Sequence, residues 1–308
     1  MPHRLEEAIL RTVLYADVFS FALTPAEIHH FLIHDEPADP AEIEELLNTS
    51  PRLRALLHYE SGYVATQNRA ELVAHRQRRE HAAQALWPLA RQYGIWLARM
   101  PFVRMVALTG ALAVHNPADD RDDLDYLLVV LPRRVWLARA FSIILVRLAR
   151  RRGIEICPNY VLAANRLVQE RRDVFVAHEV AQMVPLYGHD LYRRLRSENI
   201  WVSVHLPNAD GVFHAETEHS TGKLWQALKT LIEWLLGGAL GNWLEDWERR
   251  RKLRRFAPDL QALHSAAQLD EHQVKGHFND HGHRVLHAYY DRLRHYNLAP
   301  QPDAIPGD

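Results

Sequence analysis

The spacing of apolar residues changes twice along this chain. Apolar residues recur at helical intervals up to about residue 98, beginning with Leu5, Ile9 and Val13. Between about 100 and 190, short apolar runs of strand length alternate with helical stretches, and helical spacing returns from about 191. Since these two spacings are typical of amphipathic helices and buried strands, they predict an α+β fold with a small mixed sheet of three to five strands.

Residues 1–72 have the order of elements that is typical of a winged-helix module. After a first amphipathic helix, residues 24–27 (TPAE) and 39–42 (DPAE) each supply an N-cap residue, a proline at the first helical position and a glutamate at the third. The third helix is expected to end near Leu47. Ser61-Gly62 then separates two short strands, as the turn of a hairpin does.

The third helix of this module carries Glu42, Glu44 and Glu45. In DNA-binding winged-helix proteins this helix enters the major groove, where phosphates attract cations and repel carboxylates. We therefore expect no sequence-specific DNA binding. A role in packing or in docking a protein partner fits the module better.

A long helix is predicted from about 68 to 98, with a possible kink at Pro88. Its first part carries arginines at positions 69, 76, 78 and 79. We interpret them as a solvated face that pairs with Glu71 and Glu80. A phosphate-facing patch is the alternative.

The central region contains the residues with the clearest chemistry. An apolar strand is followed by the Gly110 turn, a short helix, an acidic loop, and a second strand that opens with Asp123-Leu124-Asp125. Carboxylates at i and i+2 of a strand point to the same face. Two like charges side by side repel unless a cation lies between them, so this spacing predicts a divalent metal site. Backbone N–H groups at the Gly110 turn favour phosphate oxygens.

This arrangement resembles the signature of the DNA polymerase β-like nucleotidyltransferase superfamily, which is Gly-Ser or Gly-Gly, a short gap, and Asp-x-Asp on the next strand. Here Gly110-Ala111, residues 112–122 and Asp123-Leu124-Asp125 match it in order and spacing. Four further segments resemble a bacterial group of stand-alone nucleotidyltransferase-like proteins. They are residues 15–19 (YADVF), 101–105 (PFVRM), 157–160 (CPNY) and 177–181 (AHEVA).

The resemblance implies the transfer of a nucleoside monophosphate from an NTP, with ATP the expected donor, to a hydroxyl group of an unknown acceptor. Mg²⁺ or Mn²⁺ would be held by Asp123 and Asp125. The phosphates would lie against the turn formed by Thr109, Gly110, Ala111 and Leu112.

The chain departs from the family pattern at two positions. The family's serine is Ala111 here, so one hydroxyl that would touch the triphosphate is absent. The family usually has a third carboxylate on a later strand, and the next predicted strand offers either Glu155 or Asn159 with the required parity. Asparagine cannot act as a base. The alternative to an enzyme is therefore a catalytically lapsed fold that binds nucleotides or proteins.

We predict that residues 73–190 form the linker helix and the nucleotidyltransferase core, and that residues 191–298 form a helical C-terminal region. An amphipathic helix is expected around Leu224–Leu235 and a second after Gly241, whereas residues 199–208 are expected to be extended. The basic run at 248–255 is interpreted as a solvated helix end, with contact to a polyanionic substrate as the alternative. The Pro-rich tail at 299–308 is expected to be disordered.

Composition adds little to this picture. The formal net charge is −1 over 308 residues, so there is no overall attraction toward nucleic acid or an anionic membrane. Cys157 is the single cysteine, which fits a reducing compartment. No apolar run approaches the roughly 20 residues of a membrane span. We therefore expect a cytoplasmic protein with no membrane partner.

Overall fold

The computed structural model describes residues 2–260, 268–275 and 281–299. Residues 300–308 of the predicted tail lie outside the described residues. The helices are α1 (Pro2–Val18), α2 (Pro25–His30), α3 (Pro40–Thr49), α4 (Pro51–Leu56), α5 (Glu71–Ala98), α6 (Gly110–Ala113), α7 (Val135–Arg150), α8 (Val174–Ala181), α9 (His189–Glu198), α10 (Val202–His205), α11 (Lys223–Leu235), α12 (Ala239–Leu260) and α13 (His281–His295). The strands are β1 (Leu57–Glu60), β2 (Tyr63–Thr66), β3 (Val103–Leu108), β4 (Leu124–Val130), β5 (Ile156–Ala163), β6 (Val184–Tyr187), β7 (Gln268–Leu269) and β8 (Gln273–Lys275).

The larger sheet has the strand order β6-β3-β4-β5-β8-β7. The β4–β5 pair is parallel and the other pairs are antiparallel, so the predicted class, α+β with a mixed sheet, is confirmed. The core at about 100–190 contributes four strands, β3 to β6, within the predicted three to five. The prediction of a helical C-terminal region is wrong at residues 268–275, where the β7–β8 hairpin extends the sheet beyond β5. Strands of two and three residues are too short to show an alternating pattern.

Both faces of this sheet are buried, and alternate residues of each strand belong to different apolar clusters. Met105 and Leu127 pack in a cluster that also contains residues of α1, α8 and α13. Val106 and Leu128 pack on the opposite face, together with residues of α5 and α7. The period-two alternation of a strand therefore holds the sheet between two helical layers.

The predicted helix starts of the N-terminal region are present. Thr24 and Glu27 form a reciprocal capping box, in which the Thr24 N–H donates to the Glu27 carboxylate at 2.8 Å and the Glu27 N–H donates to Thr24 Oγ1 at 3.2 Å. Asp39 accepts a hydrogen bond from the Ala41 N–H at 2.8 Å. Ser50 starts the further helix α4, which the sequence reading did not anticipate, by capping the Leu53 N–H. The predicted β1–β2 hairpin follows it.

Arginines at the start of α5 fasten the N-terminal elements to the rest of the chain. The Arg76 guanidinium donates to both carboxylate oxygens of Glu27, at 2.8 and 3.1 Å, and to Glu80 at 2.8 Å. The side chains of Arg76 and Glu27 are each 2% exposed, so the prediction of a solvated arginine face is wrong for Arg76. Arg79 donates to the carbonyls of Phe19 and Ser20. Its guanidinium therefore holds the chain after α1 in place, and this does not support the phosphate-facing alternative.

The segment 199–208 was predicted to be extended, and this is wrong. It contains the single helical turn α10. The Asn199 side chain holds the backbone in place just before this turn. It accepts a hydrogen bond from the Gln169 N–H at 2.7 Å and donates to the carbonyls of Leu167 and Leu195 at 2.8 Å. The alternating apolar residues that indicated an extended segment have no neighbouring strand among the described residues.

Candidate metal and nucleotide site

The two aspartates of the Asp-x-Asp motif meet at the start of β4. Asp123 directly precedes this strand and Asp125 is its second residue. One carboxylate oxygen of each, together with the Cys157 sulfur, lie within 4.8 Å of one another, and all three residues are partly buried. The i, i+2 spacing therefore places both carboxylates on one side of the sheet, as predicted. We call Asp123 and Asp125 the acidic pair.

An irregularity in β5 decides which of its residues reach the acidic pair. Asp125 is opposite Cys157, but Leu127 is opposite Tyr160, so β5 has one more residue than β4 over this step. In this segment the Cys157 side chain forms a hydrogen bond with Asp123. Asn159 Nδ2 donates a hydrogen bond to Asp125 Oδ1.

Glu155 is not at the site. Its carboxylate is 56% exposed and pairs with Arg150 at 3.2 Å. Of the two residues that the sequence left open, Asn159 is the one beside the acidic pair.

The Gly110 turn packs directly against Asp125. The Thr109 N–H donates to the Asp125 carbonyl oxygen at 3.0 Å. Gly110 has φ +68°, and a Cβ built there would lie 3.1 Å from both Cβ and Cγ of Asp125 and closer still to its carboxylate. A side chain at position 110 is thus excluded by conformation and by space. The phosphate-binding interpretation of this turn stays a prediction.

A cavity of about 340 Å³ opens beside this turn. Thr109, Gly110, Ala111, Asp125 and Asn159 line one part of it, whereas Leu112 is buried in the apolar core. Aromatic side chains of the N-terminal region and of α8 line another part, namely Tyr15, Phe19, Phe21, Phe31 and Phe175. The size is within the range of small-molecule sites, which combine apolar walls with a few polar groups.

A third carboxylate lines the same cavity. Glu179 belongs to α8, and its carboxylate accepts a hydrogen bond from Gln182 Nε2 at 2.8 Å. Lys275 of β8 also lines the cavity, and its ammonium attracts Glu179. Neither residue was a predicted site residue, because both lie more than fifty residues after the motif. A usable signal for Glu179 was available, since it is the only acidic residue of α8, whose other residues apart from His178 are apolar.

The surroundings of Asp125 disfavour the ionised form of its carboxyl group. Burial, followed by repulsion from Asp123, Glu179 and Asp122, raises the pKa of Asp125 to about 8. Burial also raises the pKa of Glu179, against the opposing effects of Lys275 and Gln182. A cation beside the pair would offset the repulsion and favour the ionised carboxylates.

The donor set can be compared with what metal ions prefer. Two carboxylates with a side-chain amide beside them suit a hard ion such as Mg²⁺ or Mn²⁺, because these ions prefer oxygen ligands. Burial, with Asp123 next in size, raises the pKa of the Cys157 thiol. A protonated thiol is a poor ligand, so sulfur does not argue against a hard ion.

Comparisons of the chain with protein-family models, with curated proteins and with solved structures gave no match. Within the described ranges, none of the helices combines the length and the apolar character required to cross a membrane.

Proposed function

We propose that this chain is a divalent-metal-dependent nucleotidyltransferase that transfers a nucleoside monophosphate from an NTP, ATP being the expected donor, to a hydroxyl acceptor. The observation that carries the proposal is that Asp123 lies close to Asp125, while Asp125 packs against the Gly110 turn and lines a cavity of ligand size. Metal carboxylates next to exposed backbone N–H groups are the parts that phosphoryl-type transfer needs. In this proposal the core is of the DNA polymerase β-like type, and residues 1–72 form a winged-helix module.

The acidic pair would hold one or two Mg²⁺ ions, which supply neutralisation of phosphate charge and orientation of the attacking oxygen. The N–H groups of Gly110, Ala111 and Leu112 would bind the phosphates. The acceptor oxygen forms its bond to the α-phosphorus, the bond to the leaving pyrophosphate breaks, and the hydroxyl proton passes to a base. Glu179 is our candidate for that base, because it lines the cavity and burial raises its pKa.

The aromatic wall gives the N-terminal module a place in this reaction. Tyr15, Phe19 and Phe31 line the cavity from α1 and the end of α2, and the Tyr15 ring stacks on the His178 ring with centroids 3.9 Å apart. Flat apolar walls of this kind suit a nucleobase or another aromatic group. We therefore assign the module to ligand binding and not to DNA.

A lapsed enzyme is the second candidate, and one observation favours it. Asn159, and not a carboxylate, occupies the β5 position beside Asp125. With Ala111 in place of the family's serine, the site would then bind a metal–nucleotide complex without turning it over. Glu179 discriminates between the two candidates, because only the enzyme requires it for turnover.

The test is calorimetric titration of each NTP with and without Mg²⁺ or Mn²⁺, on the full chain and on the double variant Asp123→Asn, Asp125→Asn. We expect the metal-dependent part of the affinity to disappear, because the ion loses its ligands. Asp120→Asn is the matched control, since Asp120 is an exposed acid of the same loop. Unchanged metal-dependent affinity in the double variant would reject the site.

Turnover is tested separately, by mass-spectrometric search for nucleotide-modified products with each NTP and Mg²⁺. Product formation that Glu179→Gln abolishes, with NTP binding retained, supports the enzyme. Metal-dependent binding with no product from any NTP supports the lapsed fold.

A further inference from the structure

Exposed large apolar side chains are concentrated in the two consecutive helices α11 and α12. Eight of them lie on these helices, which residues 236–238 connect, with exposures from 43% to 81%. We call this set of side chains the hairpin face, and its residues are Leu224, Leu228, Leu231, Trp234, Leu235, Leu240, Trp243 and Trp247. Large apolar side chains exposed in such a group mark an interaction site.

Two charged residues of α11, Lys229 and Glu233, contact the rest of the protein and so keep the hairpin face exposed. Lys229 is buried, and its ammonium donates to the carbonyls of Ala98 at 2.8 Å and Val103 at 2.6 Å. Glu233 pairs with Arg104 through two hydrogen bonds of 2.7 and 2.8 Å. The helix therefore turns its ionic side toward the protein and its leucines and tryptophans toward solvent. Rotating it to bury the leucines would break all of these contacts.

Residues 234–243, which include the connection between α11 and α12, have the composition of a membrane-surface segment. We call them the tip. Between residues 230 and 244, Glu233 is the one charged residue, and it is bound to Arg104. Trp234 and Trp243 bracket an uncharged stretch of leucine, glycine and alanine with a single asparagine. Tryptophan favours the boundary between lipid headgroups and acyl chains.

Positive charge follows the apolar tip along α12. Arg250, Arg251, Arg254 and Arg255 are exposed, and they lie about 10 to 18 Å beyond Trp243 along the helix axis at 1.5 Å per residue. Exposed arginines beside an apolar helix face attract anionic headgroups. A second copy of the chain would bring the same positive charge to the contact, whereas an anionic bilayer brings negative charge.

We propose that the hairpin face docks this protein onto the surface of an anionic lipid bilayer, with the tip inserted at the headgroup boundary and the arginines on the phosphates. This revises the expectation of no membrane partner, which rested on the length of apolar runs and on net charge. Run length tests for spanning segments and says nothing about a helix that lies on the surface. The proposal is independent of nucleotide binding.

The test is co-sedimentation of the full chain with phosphatidylcholine vesicles, made with and without phosphatidylglycerol. We expect binding to the anionic vesicles that weakens as salt is added. Trp234→Ser with Trp243→Ser should lower partitioning about tenfold or more, because two interfacial anchors are lost. Ile200→Ser is the matched control, since Ile200 is 74% exposed outside the hairpin face, and its partitioning should equal that of the wild type.

Arg250→Gln with Arg254→Gln should weaken binding and flatten its salt dependence. Far-UV circular dichroism checks that each exposed substitution leaves the fold intact. Absence of vesicle binding, or equal binding by the tryptophan variant, would overturn the proposal. So would sedimentation velocity that shows a wild-type dimer, no vesicle binding, and a monomeric tryptophan variant, because the face would then belong to a second copy.

Discussion

Two regions of this protein hold carboxylates in contrasting surroundings. At the junction of α2 and α5, Glu27 is held by two hydrogen bonds from the Arg76 guanidinium, with the Phe21 ring 4.3 Å from the guanidinium carbon. At the cavity, Asp125 has Asp123 and Glu179 as its charged neighbours, and burial with their repulsion raises its pKa to about 8.

The difference separates a structural role from a functional one. A buried ion pair with good hydrogen bonds is compensated within the fold. Carboxylates that lie close together at a ligand-sized cavity repel one another, and groups whose pKa is raised in this way cluster at functional sites. The two regions should therefore respond in opposite directions when a charge is removed.

The largest effect is expected at the compensated pair. Arg76→Met leaves Glu27 buried without its partner and should lower the free energy of unfolding by about 3–5 kcal/mol. Urea denaturation of the full chain measures it, with Arg78→Met as the control, because Arg78 is an exposed arginine of the same helix. A loss no larger than that of the control would remove the contrast between the two regions.

Lys229 gives an intermediate case with a pH signature. Burial, followed by repulsion from Arg104, lowers the pKa of Lys229 to about 8. A lowered folded-state pKa means that the unfolded chain binds the proton more tightly, so stability from this group is fully present above pH 10.5 and is lost as the pH falls through about 8. The wild type should thus gain about 1–3 kcal/mol between these limits, relative to Lys229→Met.

Thermal or urea unfolding at several pH values measures this difference. Lys223→Met, an exposed lysine of the same helix, should show no such slope. A slope of opposite sign in the comparison with Lys229→Met would show that the ammonium is stabilised where it lies.

At the acidic pair, removal of a charge is predicted to raise the free energy of unfolding. Asp125→Asn keeps an oxygen to accept the hydrogen bond from Asn159 while it removes a repelled charge. In EDTA the variant should be more stable than the wild type by about 1–2 kcal/mol. Adding Mg²⁺ should stabilise the wild type and leave the variant unchanged, because only a bound ligand shifts unfolding. Loss of stability in EDTA would contradict the view of Asp125 as an uncompensated charge.

The smallest effect on the free energy of unfolding is expected for an exposed ion pair, which serves as a reference for the buried groups. Arg194 and Glu198 pair at 2.7 Å on α9 with side chains 54% and 29% exposed. Arg194→Gln should change the free energy of unfolding by about 0.5 kcal/mol or less. A change as large as that at Arg76 would mean that burial does not distinguish the pairs.

Much of the candidate site was predictable, because its parts are local. The i, i+2 spacing placed the acidic pair on one side of a strand, and the Gly110 turn was expected next to it. Whether Glu155 or Asn159 joined them was not predictable, because strand parity allowed both. In the structure Glu155 precedes β5 and pairs with Arg150, whereas Asn159 lies within β5 beside Asp125. Glu179 and Lys275 reach the cavity from distant elements, so no local pattern marked them as partners of the pair.

The sequence by itself determined the capped helix starts at Thr24 and Asp39, the alternation of the central strands, and the amphipathic character of α11. These depend on hydrogen bonds and side-chain directions within a few residues. Tertiary structure alone decided that Arg76 is buried, that Glu179 faces the acidic pair, and that α11 turns its leucines outward. A periodic pattern specifies which residues share a face, but what covers that face depends on contacts between residues far apart in the chain.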